Sequence, residues 1–167
     1  YHNFNTSGEP TVFVTACNSF GKPSNPIVRL KAYCRLINTE FKLGPNYIVD
    51  NATLWVMGYK VESYRENYVV KNGGKLELFG GIANQTPWPK KVPPGEDHHP
   101  IIEIVDGSVS ASLHTTGHKK QEKGYTNIVI DKQGNESRTL TWEALPKRTG
   151  GDQPHSFILP LYVSKRP

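Results

Sequence analysis

A repeat of 21 residues is the feature of this sequence that most constrains its fold. The segment NYIV at 46–49 returns 21 residues later as NYVV at 67–70. Upstream, a similar segment begins at Asn25, and fainter copies begin at His99 and Tyr125. A fixed period of this length is typical of proteins built from stacked structural repeats. The sequence therefore predicts several equivalent units packed one on the next.

Each unit reads as two short strands. A β-branched strand is followed by an Asn/Asp/Gly turn and by a second strand in which apolar and polar residues alternate. None of the units shows a helical period, and one unit alone cannot bury its apolar face. Stacking solves this, because equivalent strands then pair and the inward residues form a continuous core. We predict an all-β protein, a parallel β-solenoid of about five coils over residues 25–142. A seven-stranded sandwich is the alternative, although it would not require a unit to repeat.

The whole chain, 1–167, is predicted to be a single domain of this kind. Its expected parts are a first coil or cap at 1–24, repeated coils at 25–142 with a loop insertion at 84–99, and a C-terminal cap at 143–167. The cap is predicted as a strand, since apolar residues alternate through FILPLYV near the end of the sequence. A strand there would cover apolar core and unpaired backbone at the end of the stack.

Charges alternate at one outward position of successive units. The residue after the first apolar pair is Arg29, then Asp50, Lys71 and Glu103. Equivalent residues on neighbouring strands lie about 4.8 Å apart, and opposite charges at that distance attract. We interpret these four residues as a charge ladder that holds the register of the strands rather than as an acid–base cluster.

Turn and corner residues carry a resemblance to a known family. The segments VDNATLWVMGYKVE, NYVVKNGGKLELFGG and PIIEIVDGSVSAS resemble the later coils of pectate-lyase-like right-handed parallel β-helix proteins, over about residues 25–140. These are secreted polysaccharide lyases, glycoside hydrolases and their relatives. The residues that carry the resemblance are Asn51, Gly58, Asn72, Gly73, Gly80, Gly81, Asp106 and Gly107.

The resemblance implies a secreted, extracellular β-helix, or the C-terminal portion of one, that binds or cleaves a polysaccharide. The family's acidic calcium cluster with an outward arginine has no counterpart in this sequence, and neither do the close aspartates of polygalacturonase-type sites. No catalytic residue is therefore carried over. The alternative is a non-catalytic glycan-binding or adhesion module of a virion or cell surface. A structural module joined to another chain at an open solenoid end is a third possibility.

The second strand of each unit supplies a candidate binding row of Arg35, Trp55, Glu77 and Ser110. An exposed tryptophan beside charged groups suits a sugar, which offers an apolar face to the ring and hydroxyls to the charges. The alternative that a loop covers Trp55 stays open.

The loop insertion supplies the other candidates. Trp88 stands between two prolines, and GEDHH ends the insertion at His99. Long insertions in folds with short loops are often functional. Adjacent histidines on a strand point to opposite faces, so we predict no metal site there, and no cofactor. The weak catalytic candidates are Glu77, Glu103 and His99, and Trp88 joins the substrate-binding candidates.

Cysteines and sequons bear on the compartment. Cys17 and Cys34 are the only cysteines, and either a disulfide between them or two buried thiols fits the sequence. The sequence holds four N-x-S/T sequons, which favour a secreted glycoprotein. Their asparagines are Asn5, Asn51, Asn84 and Asn135.

The remaining partner classes are limited by charge and hydropathy. The net charge is +5, and the densest basic runs, at 87–95 and 117–124, lie in turn-rich segments. No interleaving of aromatic and basic residues in the sequence resembles an RNA-binding signature, so nucleic acid is not predicted as a partner. A mildly basic surface is compatible with an acidic polysaccharide. The sequence has no apolar stretch of the roughly 18 residues needed to span a membrane.

Overall fold

The computed structural model describes residues 11–15, 18–20, 27–28, 31–40, 44–63, 65–85, 99–116, 127–146 and 156–164. Within these ranges the chain forms strands and one short 3-10 turn at Trp142–Ala144. The strands are β1 (Thr11–Thr15), β2 (Asn18–Phe20), β3 (Ile27–Val28), β4 (Lys31–Glu40), β5 (Tyr47–Asp50), β6 (Thr53–Ser63), β7 (Tyr68–Lys71), β8 (Lys75–Gln85), β9 (Ile102–Val105), β10 (Ser108–Thr116), β11 (Asn127–Gln133), β12 (Glu136–Thr141) and β13 (Ser156–Val163). The prediction of an all-β protein is confirmed.

The strands form two sheets, and most neighbouring strands are parallel. Sheet A has the order β1-β4-β6-β8-β10-β13, with β2 beside β4, and sheet B has the order β12-β11-β9-β7-β5-β3. From β3 to β11, each strand lies in the other sheet from the strand before it. Equivalent strands pair in parallel, 21 residues apart from β5 to β7 and 22 residues apart from β6 to β8. The repeat in the sequence is therefore the spacing between hydrogen-bonded strands.

Inward side chains of both sheets share one hydrophobic core. Because the strands pair in register, inward residues form rows across neighbouring strands. We use the word row for any set of residues that are paired in register across neighbouring strands. The rows are aliphatic, as expected for parallel strands that bury a face. Sheet A contributes Ala32, Leu54, Leu76 and Val109 in one row and Cys34, Val56, Leu78 and Ala111 in the next, and sheet B contributes Val49, Val70 and Ile104.

The turns that lead from sheet B to sheet A are stacked. Asn51, Asn72 and Asp106 occupy them with φ of 49°, 53° and 53°. Asn and Asp tolerate this left-handed conformation better than other residues with a side chain. The backbone N–H of each donates to a carbonyl of the following unit, at 3.1, 3.1 and 2.9 Å. The hydrogen-bonded pairing therefore continues through the corner.

Gly74 is required at one of these corners by a close approach of backbone. A Cβ atom on Gly74 would lie 2.5 Å from the carbonyl oxygen of Val49 and 2.9 Å from that of Lys71. Its carbonyl accepts the N–H of Ser108 at 2.9 Å. Neighbouring units therefore touch here through backbone alone, which explains the glycine at position 74 in the turn of the third unit.

A second column of left-handed residues bends the long strands of sheet A. Leu36, Gly58 and Gly80 have φ of 53°, 72° and 65° and occupy equivalent positions in β4, β6 and β8. At this column the inward alternation shifts by one residue, so that Val56 and then Tyr59 are buried. Strand β8 has one residue more than β10 at this point, which is a β-bulge in the pairing of these two strands, and we call the whole column the bulge. The strands β6 and β8 do not end at these glycines but continue past them.

The C-terminal strands change direction. After the turn at Gly134 and Asn135, β12 pairs antiparallel with β11 and stays in sheet B, so the expected second strand of the fifth unit does not reach sheet A. Strand β13 then pairs antiparallel with β10 along the edge of sheet A. At this end of the stack both sheets finish with an antiparallel strand.

The charge ladder is present in part. Asp50 and Lys71 lie opposite each other, with Lys71 Nζ 3.9 Å from an Asp50 carboxylate oxygen. Glu103 lies two residues before the position opposite Lys71, so its expected place in the ladder is wrong. It pairs instead with Lys132, whose Nζ is 2.7 Å from its Oε1. Arg29 lies outside the described residues.

Candidate functional site

The outer surface of sheet A before the bulge is flat and made of short rows. We call it face A and define it by the outward residues of β4, β6, β8 and β10. Its rows are Lys31, Thr53, Lys75 and Ser108; Tyr33, Trp55, Glu77 and Ser110; and Arg35, Met57, Phe79 and Ser112.

The structure places three of the four residues of the expected binding row together. Trp55, Glu77 and Ser110 are paired in register across β6, β8 and β10. Arg35 belongs to the next row of the same face, and Tyr33 takes the position beside Trp55. The sequence-based alignment missed Tyr33 and displaced Arg35 by two residues.

The displacement comes from the bulge at Leu36. Alternation in the sequence suggested that Cys34 and Leu36 both point inward, but Leu36 takes the left-handed bulge position and is 62% exposed. Cys34 consequently pairs with Val56 rather than with Leu54. An aliphatic residue in this conformation is uncommon, so the sequence offered little signal for it. Only the glycine at the equivalent position, Gly58, marked the bulge.

Tyr33 and Trp55 stack face to face. Their ring centroids are 4.2 Å apart and the ring planes differ by 5°. Because the two residues lie on adjacent strands about 4.8 Å apart, the stack runs across the strands and presents ring edges outward. Tyr33 is 37% exposed. Trp55 is half-buried, so part of each ring is accessible to a ligand. The alternative that a loop covers Trp55 concerns Tyr64 in particular, and this residue lies outside the described residues.

Charged groups surround the aromatic stack. Arg35 follows it on β4 and Glu77 adjoins it on β8, and both are exposed. Lys31 and Lys75 are exposed in the first row. The face thus combines aromatic carbon with donors from Arg and Lys and an acceptor from Glu. This is the set of groups that suits a polyhydroxylated ligand with apolar ring faces.

The third row of face A is apolar. Met57 is 61% exposed and Phe79 is 41% exposed. Along the edge strand β13, Leu161 and Val163 are 59% and 61% exposed. All the exposed large hydrophobic residues of the described chain belong to strands of sheet A. Contiguous exposed apolar residues of this kind mark interaction surfaces.

The weak catalytic candidates are separated. Glu77 projects from face A, whereas Glu103 lies on sheet B and is paired with Lys132. His99 is hydrogen-bonded through Nδ1 to Glu66 Oε1 at 2.7 Å. The His99–Glu66 contact fixes the point where the loop insertion returns to the stack. Glu77 and Glu103 therefore do not form a carboxylate pair, because they stand on different sheets.

The sequons differ in their surroundings. Asn135 is exposed in the turn between β11 and β12, and Asn51 is exposed at its corner. Asn84 accepts a hydrogen bond from the Thr116 hydroxyl through its side-chain oxygen. Asn5 lies outside the described residues.

The loop and disulfide predictions fall largely outside the described chain. Trp88 and the rest of 86–98 are not described. Cys34 is buried in the core row of sheet A, but Cys17 lies outside the described residues, so the bridge remains a prediction.

No group of three or more His, Cys, Asp or Glu side chains suited to a metal ion occurs in the described part of the chain. Among the same residues, no helix has the length and apolar character needed to cross a bilayer. Comparison with protein-family models, with curated proteins and with solved structures gave no match to this chain.

Proposed function

We propose that this chain is a parallel β-solenoid, a right-handed β-helix of about five coils related to the pectate-lyase-like proteins, and that face A binds an extracellular polysaccharide. The fold proposal is supported by strands that alternate between two sheets and pair in parallel at a spacing of 21 or 22 residues. A sandwich of the kind considered from the sequence would be antiparallel. The stacked left-handed corners at Asn51, Asn72 and Asp106 fit successive coils.

The observation that carries the binding proposal is the Tyr33–Trp55 stack between exposed Arg35 and Glu77. Sugar rings pack their C–H surfaces on indole and phenol carbon while their hydroxyls bond to charged side chains. A linear polymer lying across the strands would contact one residue of this row on each strand that it crosses. The basic residues of the first row, Lys31 and Lys75, would favour a polymer that carries acidic groups.

Binding is proposed ahead of cleavage. Glycoside hydrolysis uses two carboxyl groups on either side of one bond, about 5–10 Å apart. Glu77 and Glu103 stand on different sheets, and Glu77 has no acidic neighbour in its row of face A. The chain therefore serves as a glycan-binding or adhesion module.

A glycan array, run beside reducing-end and unsaturated-product assays on the same polysaccharides, tests this proposal. We expect binding without products. Trp55→Ala should weaken binding by about tenfold or more, in line with the loss of a buried aromatic anchor. Arg35→Gln and Glu77→Gln should weaken it less, and Lys132→Ala, on the outer surface of sheet B, should have no effect. Binding that is unchanged in Trp55→Ala contradicts the proposal, and product formation makes the chain an enzyme.

A second candidate is supported by the apolar third row. Met57 and Phe79, with Leu36 beside them, form exposed apolar surface that a sugar would not fill. A structural module that packs this row against another protein chain accounts for it. Sedimentation of the wild type and of Met57→Lys distinguishes the two. A mass above that of the monomer that falls in the variant favours the structural module, and a monomer in both cases favours the glycan-binding face alone.

A further inference from the structure

A polar row crosses sheet A on the far side of the bulge. Glu62, Asn84, Thr116 and Ser156 are paired in register across β6, β8, β10 and β13. His114 lies two residues before Thr116 on β10 and on the same outward side. The residues come from four strands, so no local sequence motif brings them together. Neither face A nor the glycan-binding proposal uses them.

Ser156 of this row contacts His114, which lies outside the row. His114 Nε2 lies 2.5 Å from Ser156 Oγ. With the ring proton on Nδ1, Nε2 accepts the hydroxyl proton of Ser156. Ser156 is 9% exposed, and His114 is half-buried. A hydroxyl held on an imidazole nitrogen within hydrogen-bond reach is the arrangement that activates serine as a nucleophile.

The neighbouring amide is held in a fixed orientation. The hydroxyl of Thr116, directly opposite Ser156, donates to the side-chain oxygen of Asn84. This hydrogen bond orders the row beside Ser156. Asn84 itself lies two strands from Ser156, with Thr116 between them, which is too far for its amide to reach an oxyanion formed at Ser156.

We propose that Ser156 and His114 are the nucleophile and base of a site that hydrolyses carboxylic esters. The Ser156 proton passes to His114 as Oγ bonds to the ester carbonyl carbon. The carbon–oxygen bond to the alcohol then breaks, and His114 returns the proton to the leaving alcohol. Water attacks the acyl-serine, giving its proton to His114, and the carboxylic acid leaves as Ser156 is reprotonated. The inference does not rest on the glycan-binding proposal.

A purely structural role predicts a different outcome. The His114–Ser156 contact also ties β13 to β10, as many serine–histidine contacts tie strands. However, β13 is fixed independently at its other end, where Ser164 and the backbone of Val109 exchange two hydrogen bonds of 2.9 and 2.7 Å. Removing the Ser156 hydroxyl should therefore leave β13 in place. The effect of Ser156 on reactivity can therefore be measured separately from its effect on stability.

The test treats the full chain with a fluorophosphonate and maps the adduct by mass spectrometry, and measures p-nitrophenyl acetate hydrolysis alongside. We expect one adduct, on Ser156, and hydrolysis that falls about 100-fold in Ser156→Ala and in His114→Gln, as for the loss of a nucleophile or base. Ser137→Ala, which removes an exposed hydroxyl on β12, is the matched control and should keep full activity.

Two results overturn the proposal. One is the absence of any adduct at Ser156, and the other is hydrolysis that persists in Ser156→Ala with the same melting temperature as the wild type. If Ser156→Ala does not fold, Ser156→Cys retains the size of the side chain. Its thiol should react with iodoacetamide faster than the same thiol in Ser156→Cys/His114→Gln, and equal rates exclude activation by His114.

Discussion

The phenol of Tyr162 donates a hydrogen bond of 2.8 Å to Asp131 Oδ2 and so joins sheet A to sheet B at the end of the core. Asp131 is only 3% exposed and occupies the same row as the inward residues Val49, Val70 and Ile104. Its other oxygen accepts from Gln133 Nε2 at 2.8 Å. A carboxylate therefore replaces an aliphatic side chain in the last position of this row. Two donors satisfy it, as a buried charge requires.

Tyr162→Phe should destabilise the protein by about 2 kcal/mol, because it leaves one oxygen of a buried carboxylate without its donor. Urea unfolding followed by circular dichroism measures this change. Val163→Ala, on the adjacent exposed position of β13, is the control and should change stability by less than about 0.5 kcal/mol. A loss in Tyr162→Phe no larger than in this control would show that the hydrogen bond does not hold the two sheets together.

The stability of the protein should fall at alkaline pH. Burial raises the pKa of Tyr59 and Tyr68, and burial together with the hydrogen bond to Asp131 raises the pKa of Tyr162. A phenol whose folded pKa lies above its unfolded value of 10.0 contributes stability that is intact below about pH 10. That contribution is lost as the pH rises further, because the unfolded chain ionises first.

Denaturant unfolding from pH 7 to pH 11.5 should therefore show a plateau followed by a decline above about pH 10. Tyr162→Phe should make the decline shallower. A decline of the same steepness in Tyr162→Phe would mean that this phenol titrates alike in the folded and unfolded chains.

Gly74→Ala should cost about 3 kcal/mol, because the new methyl group meets the backbone oxygen of Val49, which cannot move without breaking the pairing of two strands. Gly80→Ala is a matched comparison, since no heavy atom lies within 4 Å of its added Cβ and only its φ of 65° opposes the substitution. Gly80→Ala should cost about 1 kcal/mol. Thermal unfolding of both variants measures the difference, and equal losses would contradict the close contact at Gly74.

Glycosylation should discriminate among the sequons if the chain is produced in a eukaryotic secretory pathway. Asn135 stands exposed on a hairpin turn, so a glycan there displaces no side chain. Asn84 is half-buried within β8 and is held there by the hydrogen bond from Thr116, which restricts access to its amide nitrogen. We expect occupancy at Asn135 and little at Asn84. Glycopeptide mass spectrometry, with Asn135→Gln as the control, checks this; full occupancy at Asn84 is the contrary result.

Much of the fold could be predicted from the sequence because turn residues mark the repeat. Asn51, Asn72 and Asp106 marked the corners, and the β-branched segments between them marked the strands. The path of the last unit was not readable, because β12 has the same alternation whether it turns back on β11 or continues into sheet A. Only the choice of pairing partner distinguishes the two, and that choice depends on tertiary contacts.

The candidate site was readable only to within one row. Alternation identified Trp55 and Glu77 as outward. Because of the bulge at Leu36, however, the residue opposite Trp55 is Tyr33 rather than the expected Arg35. The His114–Ser156 contact spans 42 positions of the chain and joins an antiparallel strand to a parallel one. A periodic sequence pattern does not predict such a contact. The departures from the repeat are therefore where the sequence was least informative.

The stacked corners have a consequence for how this chain can change in length. The segment 53–74 runs from the start of β6 to the Gly74 that precedes β8, and Lys75, the next residue, occupies the position equivalent to Thr53. Tandem duplication of that segment would add one layer and keep every inward residue inward. Insertion of a single residue would instead exchange the inward and outward side chains in the rest of a strand. The molecule can therefore grow or shrink by whole layers, and lineages should differ in multiples of this segment.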